Sequence, residues 1–564
     1  MTGVRNIAEA HRRQAERLGP QVAARYKRGG SWQDLTWSDY RADVLACAAA
    51  LVEAGIRPGD RVGLLSENRV EWMVADLGIL AAGGVTVSPH AALSARQVHF
   101  EMHHAGARWL FASTAGQCDK VRQVRDELPE LEGVVAFDAA AAGVPGEAGS
   151  PGVESWDDFL GRGRQALARH RDELARREAA LGPADLATIM YTSGTTGNPK
   201  GVMLSHGNIL SNVAQCLAAE PVRADDVVLN WLPLSHIYAR TCDFYQPVVA
   251  GTPVCLSESV ETVVADIAEI QPTHLSCVPR FYEKVLAAVG SPDPAVTSKR
   301  LRDLFGPRMR FLGAGGAPLP RPIEDALRAA GLPILPGYGL TESAPVLSFN
   351  RPDRSKPGTA GMVLPGVDIK IAPDGEILAR GPNVMLGYWK NPQATAEAIV
   401  DGWLHTGDLG TLDADGFLTI TGRKKELLVL SNGKKVTPTQ IEGLLVADDC
   451  IDQAVVYGEG RHFLTALLVP HWDNLRRAIA DRGGRLPDGA TDDELAIHPA
   501  VREELQRRMS ARLADAAGYE QVRKFLILPR PFTVAAGELT VSLKTRRRVI
   551  FERHQAALEA LYRD

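Results

Sequence analysis

Paired cysteines and long apolar runs are both missing from this sequence. The seven cysteines stand singly, with no C-x-x-C pair and no histidine cluster beside them, which argues against a disulfide framework or a zinc site. The most apolar stretch, "MVADLGILAAGGVTV", is too short and too rich in glycine to span a membrane. The first residues contain no apolar signal-peptide core. We therefore expect a protein that is kept in the reducing cytoplasm.

A large excess of charge of one sign is also missing. The chain has 63 Lys and Arg against 68 Asp and Glu, which gives a net charge of -5 and a pI near 6.3. The chain therefore has no overall positive charge that would favour nucleic acid as a partner. Hydrophobic residues make up 45% and charged residues 23%, as in globular proteins rather than disordered chains or coiled coils. At 564 residues the chain is too long for one core, so we expect two or three folding units.

Apolar strand-like runs alternate with helical windows up to about Gly375. "RVGLLSE" precedes "EWMVADLGILAAGG", and "HLSCV" precedes "RFYEKVLAAV". This alternation predicts an α/β fold of parallel or mixed sheets wrapped by helices, with ligands beyond the carboxyl ends of strands. "RGRQALARHRDELARREAAL" predicts a charged helix with a solvated face. Beyond Gly422, shorter strands punctuated by glycine and lysine pairs predict a small α+β unit, so we expect domains at 1–422 and 423–564.

The segment "YTSGTTGNPKG" combines hydroxyls, glycines and a lysine. It follows the strand-like run "ATIMY" and precedes "VMLSHGNIL", where Ser205 or Asn208 could begin a helix. The glycine spacing and the residue after the lysine do not match a P-loop. Hydroxyls can donate to phosphate oxygens and glycines allow close backbone approach; the alternative is a surface turn. The candidate phosphate-binding residues are Thr192, Ser193, Gly194, Thr195, Thr196 and Lys200.

The motif "GYGLTE" holds groups that suit a nucleotide and its metal. Tyr338 offers an aromatic face to a purine, Thr341 offers a hydroxyl to a phosphate, and Glu342 offers an oxygen ligand to Mg²⁺. The alternative is a helix that Thr341 caps and that has an acidic first turn.

Two further motifs have both a binding and a structural interpretation. In "GAGGAP", small residues would let an adenine lie against the backbone, and a tight βα turn is compatible with that role. These residues are Gly315, Gly316 and Ala317. In "HTGD", Asp408 ends a strand-like run and could accept both ribose hydroxyls, or belong to an ordinary turn.

Three other segments have plain structural explanations. "GRKKE" is by composition an exposed charged turn, and Lys544 in "TVSLKTRRRVI" begins a basic helix on the surface. His236 in "WLPLSHIYAR" lies between apolar residues, where a histidine is more often part of the core than a catalyst.

Taken in order over nearly the full length, these motifs resemble the signatures of the adenylate-forming superfamily, which includes acyl-CoA synthetases, firefly-type luciferases and peptide-synthetase adenylation domains. The resemblance implies that Lys544 enters the active site during adenylation and that Lys425 is an inter-domain hinge. It also implies that Arg423 binds the ribose or phosphate side and that His236 lines the acyl pocket. It assigns the nucleotide and its metal to Tyr338, Gly339, Thr341, Glu342 and Asp408, together with the glycine-rich segments named above.

"LPLSHIYAR", "CVPRFYEKV" and "ELTVSLKTRRRVI" resemble the long-chain fatty acyl-CoA synthetase branch. The resemblance implies activation of a medium- to long-chain fatty acid by ATP and Mg²⁺, followed by transfer to coenzyme A. A fatty acyl-AMP ligase that serves a carrier protein, or a synthetase for another acid, remains an alternative. A non-enzymatic sensor of acyl groups or nucleotides with this fold would be expected to lack some of these motif residues, and none of the key positions is changed. Peripheral membrane contact is compatible with such substrates. The oligomeric state stays open, with a homodimer as one option.

Overall fold

Helices and strands alternate along most of the chain, as the sequence predicted. The computed structural model describes residues 3–138, 140, 152–192, 199–540 and 545–563. The helices are α1 (Ile7–Leu18), α2 (Trp37–Glu53), α3 (Val70–Ala81), α4 (Ala95–Ala105), α5 (Ala115–Arg122), α6 (Trp156–Ala180), α7 (His206–Ala219), α8 (Ile237–Ala239), α9 (Gln246–Ala250), α10 (Val263–Ile270), α11 (Pro279–Val289), α12 (Pro294–Phe305), α13 (Arg321–Ala329), α14 (Pro392–Ala398), α15 (Pro438–Val446), α16 (Trp472–Asp481), α17 (Asp492–Ala496), α18 (Pro499–Arg512) and α19 (Arg547–Ala560).

The strands are β1 (Val22–Arg28), β2 (Ser31–Thr36), β3 (Arg61–Leu65), β4 (Val85–Val87), β5 (Ala107–Ala112), β6 (Gly133–Ala136), β7 (Val153–Ser155), β8 (Leu186–Thr192), β9 (Lys200–Ser205), β10 (Val228–Asn230), β11 (Val254–Leu256), β12 (His274–Cys277), β13 (Phe311–Ala314), β14 (Ile334–Gly339), β15 (Val346–Phe349), β16 (Met362–Val363), β17 (Asp368–Ile371), β18 (Glu376–Arg380), β19 (Gly387–Tyr388), β20 (Ile399–Val400), β21 (Trp403–Leu412), β22 (Leu418–Arg423), β23 (Leu428–Val429), β24 (Lys435–Val436), β25 (Ile451–Tyr457), β26 (Leu464–Pro470) and β27 (Val522–Ile527).

The chain divides into two compact units. The large unit comprises Met1–Lys370, Leu378–Thr406 and Asp413–Leu418. The small unit comprises Ile371–Ile377, Gly407–Leu412 and Thr419–Asp564. The chain passes from one unit to the other within β17, β18, β21 and β22 and once more directly after β21. The small unit therefore includes two short segments of the chain that precede its main part, which begins at Thr419. The predicted domain boundary between residues 422 and 423 stays a prediction.

Two mixed sheets form the framework of the large unit. The nine-stranded sheet has the order β16-β15-β14-β13-β12-β10-β11-β1-β2, and β14 to β11 within it run parallel. The eight-stranded sheet has the order β19-β9-β8-β4-β3-β5-β6-β7, and it is parallel from β8 to β7. Antiparallel strands lie at the edges, which are β2, β15 and β16 in one sheet and β9 and β19 in the other. The predicted α/β class is confirmed.

The charged helix predicted in the sequence is α6, but one of its faces is buried. The helix begins earlier than the charged run, at Trp156, where the Ser155 side chain accepts the N–H of Asp158. Its buried residues recur at helical spacing, so a stripe of the helix contacts the rest of the unit. A Cβ added at Gly163 would lie 1.9 Å from the carbonyl oxygen of Ala46 in α2, so glycine permits this close approach. The prediction of a charged helix with a solvated face holds for the exposed side of α6, and the buried side was not predicted.

The small unit has its own core and its own sheets. β25, β26 and β27 form a three-stranded sheet, and β23 and β24 form a hairpin-like pair. Apolar side chains of β25 and β26 pack with α15 and α18 around fully buried residues such as Leu445, Leu468 and Leu505. The predicted α+β character of this part of the chain is confirmed. Within the part of the chain that the structure describes, no helix is both long enough and apolar enough to cross a bilayer.

Candidate active site

A β-hairpin holds the two ends of the predicted phosphate-binding segment. Thr192 ends β8 and Lys200 begins β9, and the antiparallel register pairs these two residues. The hairpin thereby brings one candidate hydroxyl and the candidate cation together. The other candidates of this segment lie outside the described residues, and their role stays a prediction: Ser193, Gly194, Thr195 and Thr196.

A capping box begins α7 directly after β9, which confirms the predicted helix start. Ser205 Oγ accepts the N–H of Asn208 at 3.0 Å, and Asn208 Oδ1 accepts the N–H of Ser205 at 2.9 Å. The side-chain amide of Asn208 donates to the carbonyl oxygens of Pro382 and Val384 at 2.8 and 2.7 Å. Asn208 therefore fixes the segment that leads into β19 next to the start of α7.

Tyr388, a residue that the sequence analysis missed, contacts two of the predicted site residues. β19 pairs with β9 so that Tyr388 lies opposite Val202. The Tyr388 hydroxyl donates to Glu342 Oε1 at 2.8 Å, and Lys200 Nζ lies 4.8 Å from the centroid of the Tyr388 ring. The structure thus gathers the candidate phosphate lysine and the candidate metal carboxylate around one aromatic ring.

The protonation state of Tyr388 suits its hydrogen bond. Burial and the neighbouring carboxylate of Glu342 raise the pKa of the Tyr388 phenol well above its ordinary value. The hydroxyl therefore keeps its proton and acts as a donor at neutral pH. In the sequence the only signal was an aromatic residue in "GYWKNP", a kind of residue that packing usually explains.

Glu342 lies in a short 3₁₀ turn, Thr341–Ser343, that follows β14. The Oγ of Ser343 accepts the N–H of Leu340 at 3.1 Å and so stabilises the turn. The alternative in which Thr341 caps a helix is wrong, because Leu340 precedes the turn and only three residues are helical. The turn holds the half-buried carboxylate of Glu342 within reach of Tyr388.

Tyr338 and Gly339 are the last two residues of β14. Tyr338 is half-buried and packs against the core of the large unit. A Cβ added at Gly339 would lie 1.9 Å from the carbonyl oxygen of Pro345, so only glycine fits there. The end of β14 therefore places the ring of Tyr338 shortly before the turn that carries Glu342.

The "GAGGAP" segment forms the turn between β13 and α13, as predicted. Gly315 is buried, and a Cβ added there would lie 3.0 Å from the ring of Tyr238. Gly316 has a φ of 80°, in the left-handed region that favours glycine, and it is exposed together with Ala317. The turn follows the carboxyl end of a parallel strand, where ligands of such sheets bind.

His236 stacks with a second histidine that the sequence analysis did not select. The rings of His90 and His236 have centroids 6.2 Å apart and planes inclined by 24°. The N–H of Tyr238 donates to His236 Nδ1 at 3.2 Å, so a neutral His236 ring carries its proton on Nε2. The Ser235 hydroxyl lies 2.7 Å from His90 Nδ1, and burial lowers the pKa of His90 to about 4. In the sequence, His90 is a single histidine after a proline, a pattern that does not indicate a functional residue.

Asp408 and Arg423 of the small unit form an ion pair. Arg423 Nε donates to Asp408 Oδ1 at 2.7 Å; the carboxylate is buried and the arginine is exposed. β21 continues beyond Asp408 to Leu412, so the expectation that Asp408 ends a strand was wrong. The N–H of Gly407 donates to Glu376 Oε1 at 2.9 Å, which fixes the backbone beside Asp408. Two residues predicted for the ribose therefore contact each other.

The two remaining lysines of the sequence analysis belong to the small unit. Lys425 is exposed in the 3₁₀ turn Lys424–Glu426, as its composition predicted. Lys544 lies outside the described residues. Downstream of Lys544, the basic helix α19 begins at Arg547, and a guanidinium nitrogen of that arginine donates to Glu442 Oε2 at 2.6 Å.

Known proteins resemble this chain over nearly its whole length. The long-chain-fatty-acid–CoA ligase FadD15 of Mycobacterium bovis is 34% identical, over 94% of this chain and 93% of its own. The long-chain-fatty-acid–CoA ligase ACSBG2 of Xenopus laevis is 27% identical, over 97% of this chain and 82% of its own. The structure of o-succinylbenzoate coenzyme A synthetase (MenE) from Bacillus subtilis with ATP and magnesium ion has a TM-score of 0.72 at 24% identity, covers 96% of this chain and 98% of its own, and shows the same fold.

Two family profiles match consecutive parts of the sequence. The AMP-binding enzyme profile matches residues 11–389, which include Lys200, Glu342 and Tyr388. The profile of the AMP-binding enzyme C-terminal domain matches residues 425–564. These matches, with the relative that is 34% identical over most of both chains, show that this chain belongs to the AMP-binding enzyme family.

Proposed function

We propose that this protein is an AMP-forming fatty acid–CoA ligase that acts on medium- to long-chain acids. The observation that carries the proposal is the arrangement of Lys200 and Glu342 around Tyr388, which offers a cation for phosphate and a carboxylate oxygen for a hard metal ion. The acid class is supported by the relatives FadD15 and ACSBG2, which are named long-chain-fatty-acid–CoA ligases.

Each part of ATP has candidate partners on this chain. Lys200 and the hydroxyls that begin with Thr192 would bind the β- and γ-phosphates, and Thr341 would bind a phosphate oxygen. Tyr338 would stack on the adenine, with the backbone of Gly315 to Ala317 against its other face. Asp408, oriented by Arg423, would accept the ribose hydroxyls.

The donor set at Glu342 fits Mg²⁺, which prefers carboxylate oxygens and the oxygens of substrate phosphates. Tyr388 donates to Oε1 of Glu342, and Oε2 accepts no hydrogen bond from the described residues. When bound, Mg²⁺ would neutralise charge on the β- and γ-phosphates.

In the first half-reaction, a carboxylate oxygen of the acid attacks the α-phosphorus of ATP, and the bond to pyrophosphate breaks. Both reactants are anions, so cations and donors that face the reacting groups lower the barrier. We assign the cation between the acid and the α-phosphate to Lys544. His236 would line the acyl site near the reacting carboxylate, and the N–H of Tyr238 would fix the orientation of its ring.

In the second half-reaction, the thiolate of coenzyme A attacks the acyl carbonyl, and AMP leaves. We propose that residues 423–564 form a lid that changes position about Lys425 between the half-reactions and thereby withdraws Lys544. We also propose a cytoplasmic location, which seven unpaired cysteines support, with peripheral contact to membranes that supply the acid.

The proposed function is tested by supplying ATP, Mg²⁺ and coenzyme A with palmitate, octanoate, benzoate or acetate. We expect palmitate or octanoate to give stoichiometric acyl-CoA, AMP and pyrophosphate, each detected directly by mass spectrometry. Reactions without coenzyme A serve as the control and should show only pyrophosphate exchange. A preference for benzoate or acetate would overturn the acid class, and adenylate without thioester would favour an acyl-AMP ligase.

Replacing Glu342 by glutamine is expected to raise the Mg²⁺ concentration for half-maximal activity by at least about tenfold, because the amide removes an anionic oxygen ligand. The measurement is the Mg²⁺ dependence of AMP release at saturating ATP and acid. Glu397→Gln, which neutralises an exposed carboxylate of α14 in the same unit, is the matched control. An unchanged Mg²⁺ dependence in Glu342→Gln would exclude Glu342 as the ligand.

A further inference from the structure

Tyr388 stands between two groups of opposite charge. Its hydroxyl donates to Glu342 Oε1 at 2.8 Å, and its ring carries the ammonium of Lys200 4.8 Å from its centroid. Within the part of the chain that the structure describes, Lys200 and Glu342 form no ion pair with each other. Instead, both charged groups contact the neutral side chain of Tyr388, one at its hydroxyl and the other at its ring.

The backbone around Tyr388 is fixed independently of these contacts. The N–H of Tyr388 donates to Thr395 Oγ1 at 2.9 Å, and the next residue, Trp389, donates its N–H to the carbonyl of Gly201 at 2.7 Å. The N–H of Met385 donates to the carbonyl of Glu342 at 2.8 Å. The backbone on the two sides of Tyr388 is therefore bonded to the strand that begins with Lys200 and to the turn that carries Glu342.

A direct Lys200–Glu342 ion pair would remove both groups from ligand binding, because opposite charges attract strongly where solvent is partly excluded. A hydrogen bond to one carboxylate oxygen restrains rotation of the carboxylate, as outer partners of metal ligands do. An aromatic face restrains an ammonium without neutralising its charge. Tyr388 can perform both tasks at once because its polar and apolar parts face different neighbours.

We propose that Tyr388 is a positioning residue that keeps Glu342 and Lys200 apart and orients each for its own ligand. The hydroxyl prepares Glu342 for Mg²⁺, and the ring prepares Lys200 for the phosphates of ATP. The inference rests on the proposed function, since it takes Mg²⁺ and ATP as the ligands of these two residues.

Two substitutions separate the hydroxyl from the ring. Tyr388→Phe removes only the donor to Glu342, so we expect the Mg²⁺ concentration for half-maximal AMP release to rise about tenfold. Its affinity for metal-free ATP, measured by calorimetry in EDTA, should stay within about twofold of the wild type because the ring remains. Tyr388→Leu also removes the ring, and we expect its affinity for metal-free ATP to fall by about threefold or more.

Binding of Mn²⁺ as a paramagnetic substitute for Mg²⁺ supplies a readout that does not depend on turnover. In the presence of ATP and without acid, Tyr388→Phe should bind Mn²⁺ about tenfold more weakly by electron paramagnetic resonance titration. Tyr457→Phe is the matched control, because the Tyr457 hydroxyl also donates to a glutamate, Glu559, at 3.1 Å in the small unit. Tyr388→Met replaces the leucine variant if the latter does not fold.

The pattern of results distinguishes the inference from the function on which it rests. If wild-type protein shows no Mg²⁺-dependent release of AMP, the proposed function fails. If the wild type is active and Glu342→Gln raises the Mg²⁺ requirement but Tyr388→Phe does not, the inference alone fails. Equal losses of metal and ATP affinity in both Tyr388 variants would indicate a purely structural role and overturn it. A double variant, Tyr388→Phe with Glu342→Gln, should need no more Mg²⁺ than Glu342→Gln alone.

Discussion

Replacing Arg240 by leucine is expected to lower the free energy of unfolding of the large unit by about 3–5 kcal/mol. Arg240 and Asp76 are completely buried and form an ion pair. The Tyr245 hydroxyl donates to Asp76 Oδ2 at 2.9 Å, and the Arg240 guanidinium donates to the hydroxyls of Ser88 and Thr188 at 3.1 and 3.0 Å. Leucine would leave the Asp76 carboxylate buried without its cation. Urea unfolding followed by tryptophan fluorescence measures the change.

Two comparisons show whether the loss comes from the uncompensated carboxylate. Replacing both partners, Asp76→Leu with Arg240→Met, should recover much of the lost stability, because no buried charge remains. Arg321→Ala breaks an exposed ion pair with Asp325 in the same unit and should change stability little. An Arg240→Leu protein as stable as the wild type would show that the buried pair does not hold this region together.

Replacing Lys544 by alanine is expected to slow adenylation by at least about a hundredfold. The proposed role of Lys544 is to stabilise negative charge that develops between the acid and the α-phosphate, and alanine offers no cation there. The measurement is acid-dependent exchange of pyrophosphate into ATP. Thioester formation from chemically prepared acyl-adenylate and coenzyme A should be affected far less, because that step follows adenylation.

Arg548→Ala is the control for Lys544→Ala. Arg548 lies four residues further along the chain, is exposed in α19, and pairs with Glu552 at 2.7 Å, so its loss removes one positive charge from the same basic run. We expect this variant to keep both half-reactions. Equal losses of both half-reactions in Lys544→Ala, or no loss in either, would contradict the role assigned to Lys544.

The α/β class could be predicted because strands and helices leave different local signatures. "RVGLLSE" contains β3, and "EWMVADLGILAAGG" contains all of α3 except its first residue, since a buried parallel strand is a short apolar run and the crossover helix follows directly. The start of α7 was readable from Ser205 and Asn208, because capping depends on residues three apart. The buried face of α6 was not readable, because its contact with α2 depends on a helix more than a hundred residues away.

Some candidate functional residues lie in motifs that the sequence makes recognisable, and others do not. Lys200, Glu342 and Asp408 could be proposed from their motifs, which place charged groups and hydroxyls beside glycines, and their roles stay predictions. The family could be recognised from the order of those motifs. Tyr388 and His90 were missed, because neither lies in a segment with an unusual composition.

The amino-acid sequence alone was sufficient for the family and the class of fold, because both depend on patterns that can be recognised in short segments of the chain. Only the tertiary structure shows that Tyr388 contacts both Lys200 and Glu342 and that Arg240 pairs with Asp76 in the core. Those contacts depend on the register between strands such as β9 and β19 and on the packing of distant helices. Such contacts join side chains that are far apart in the sequence, so no local sequence pattern indicates them.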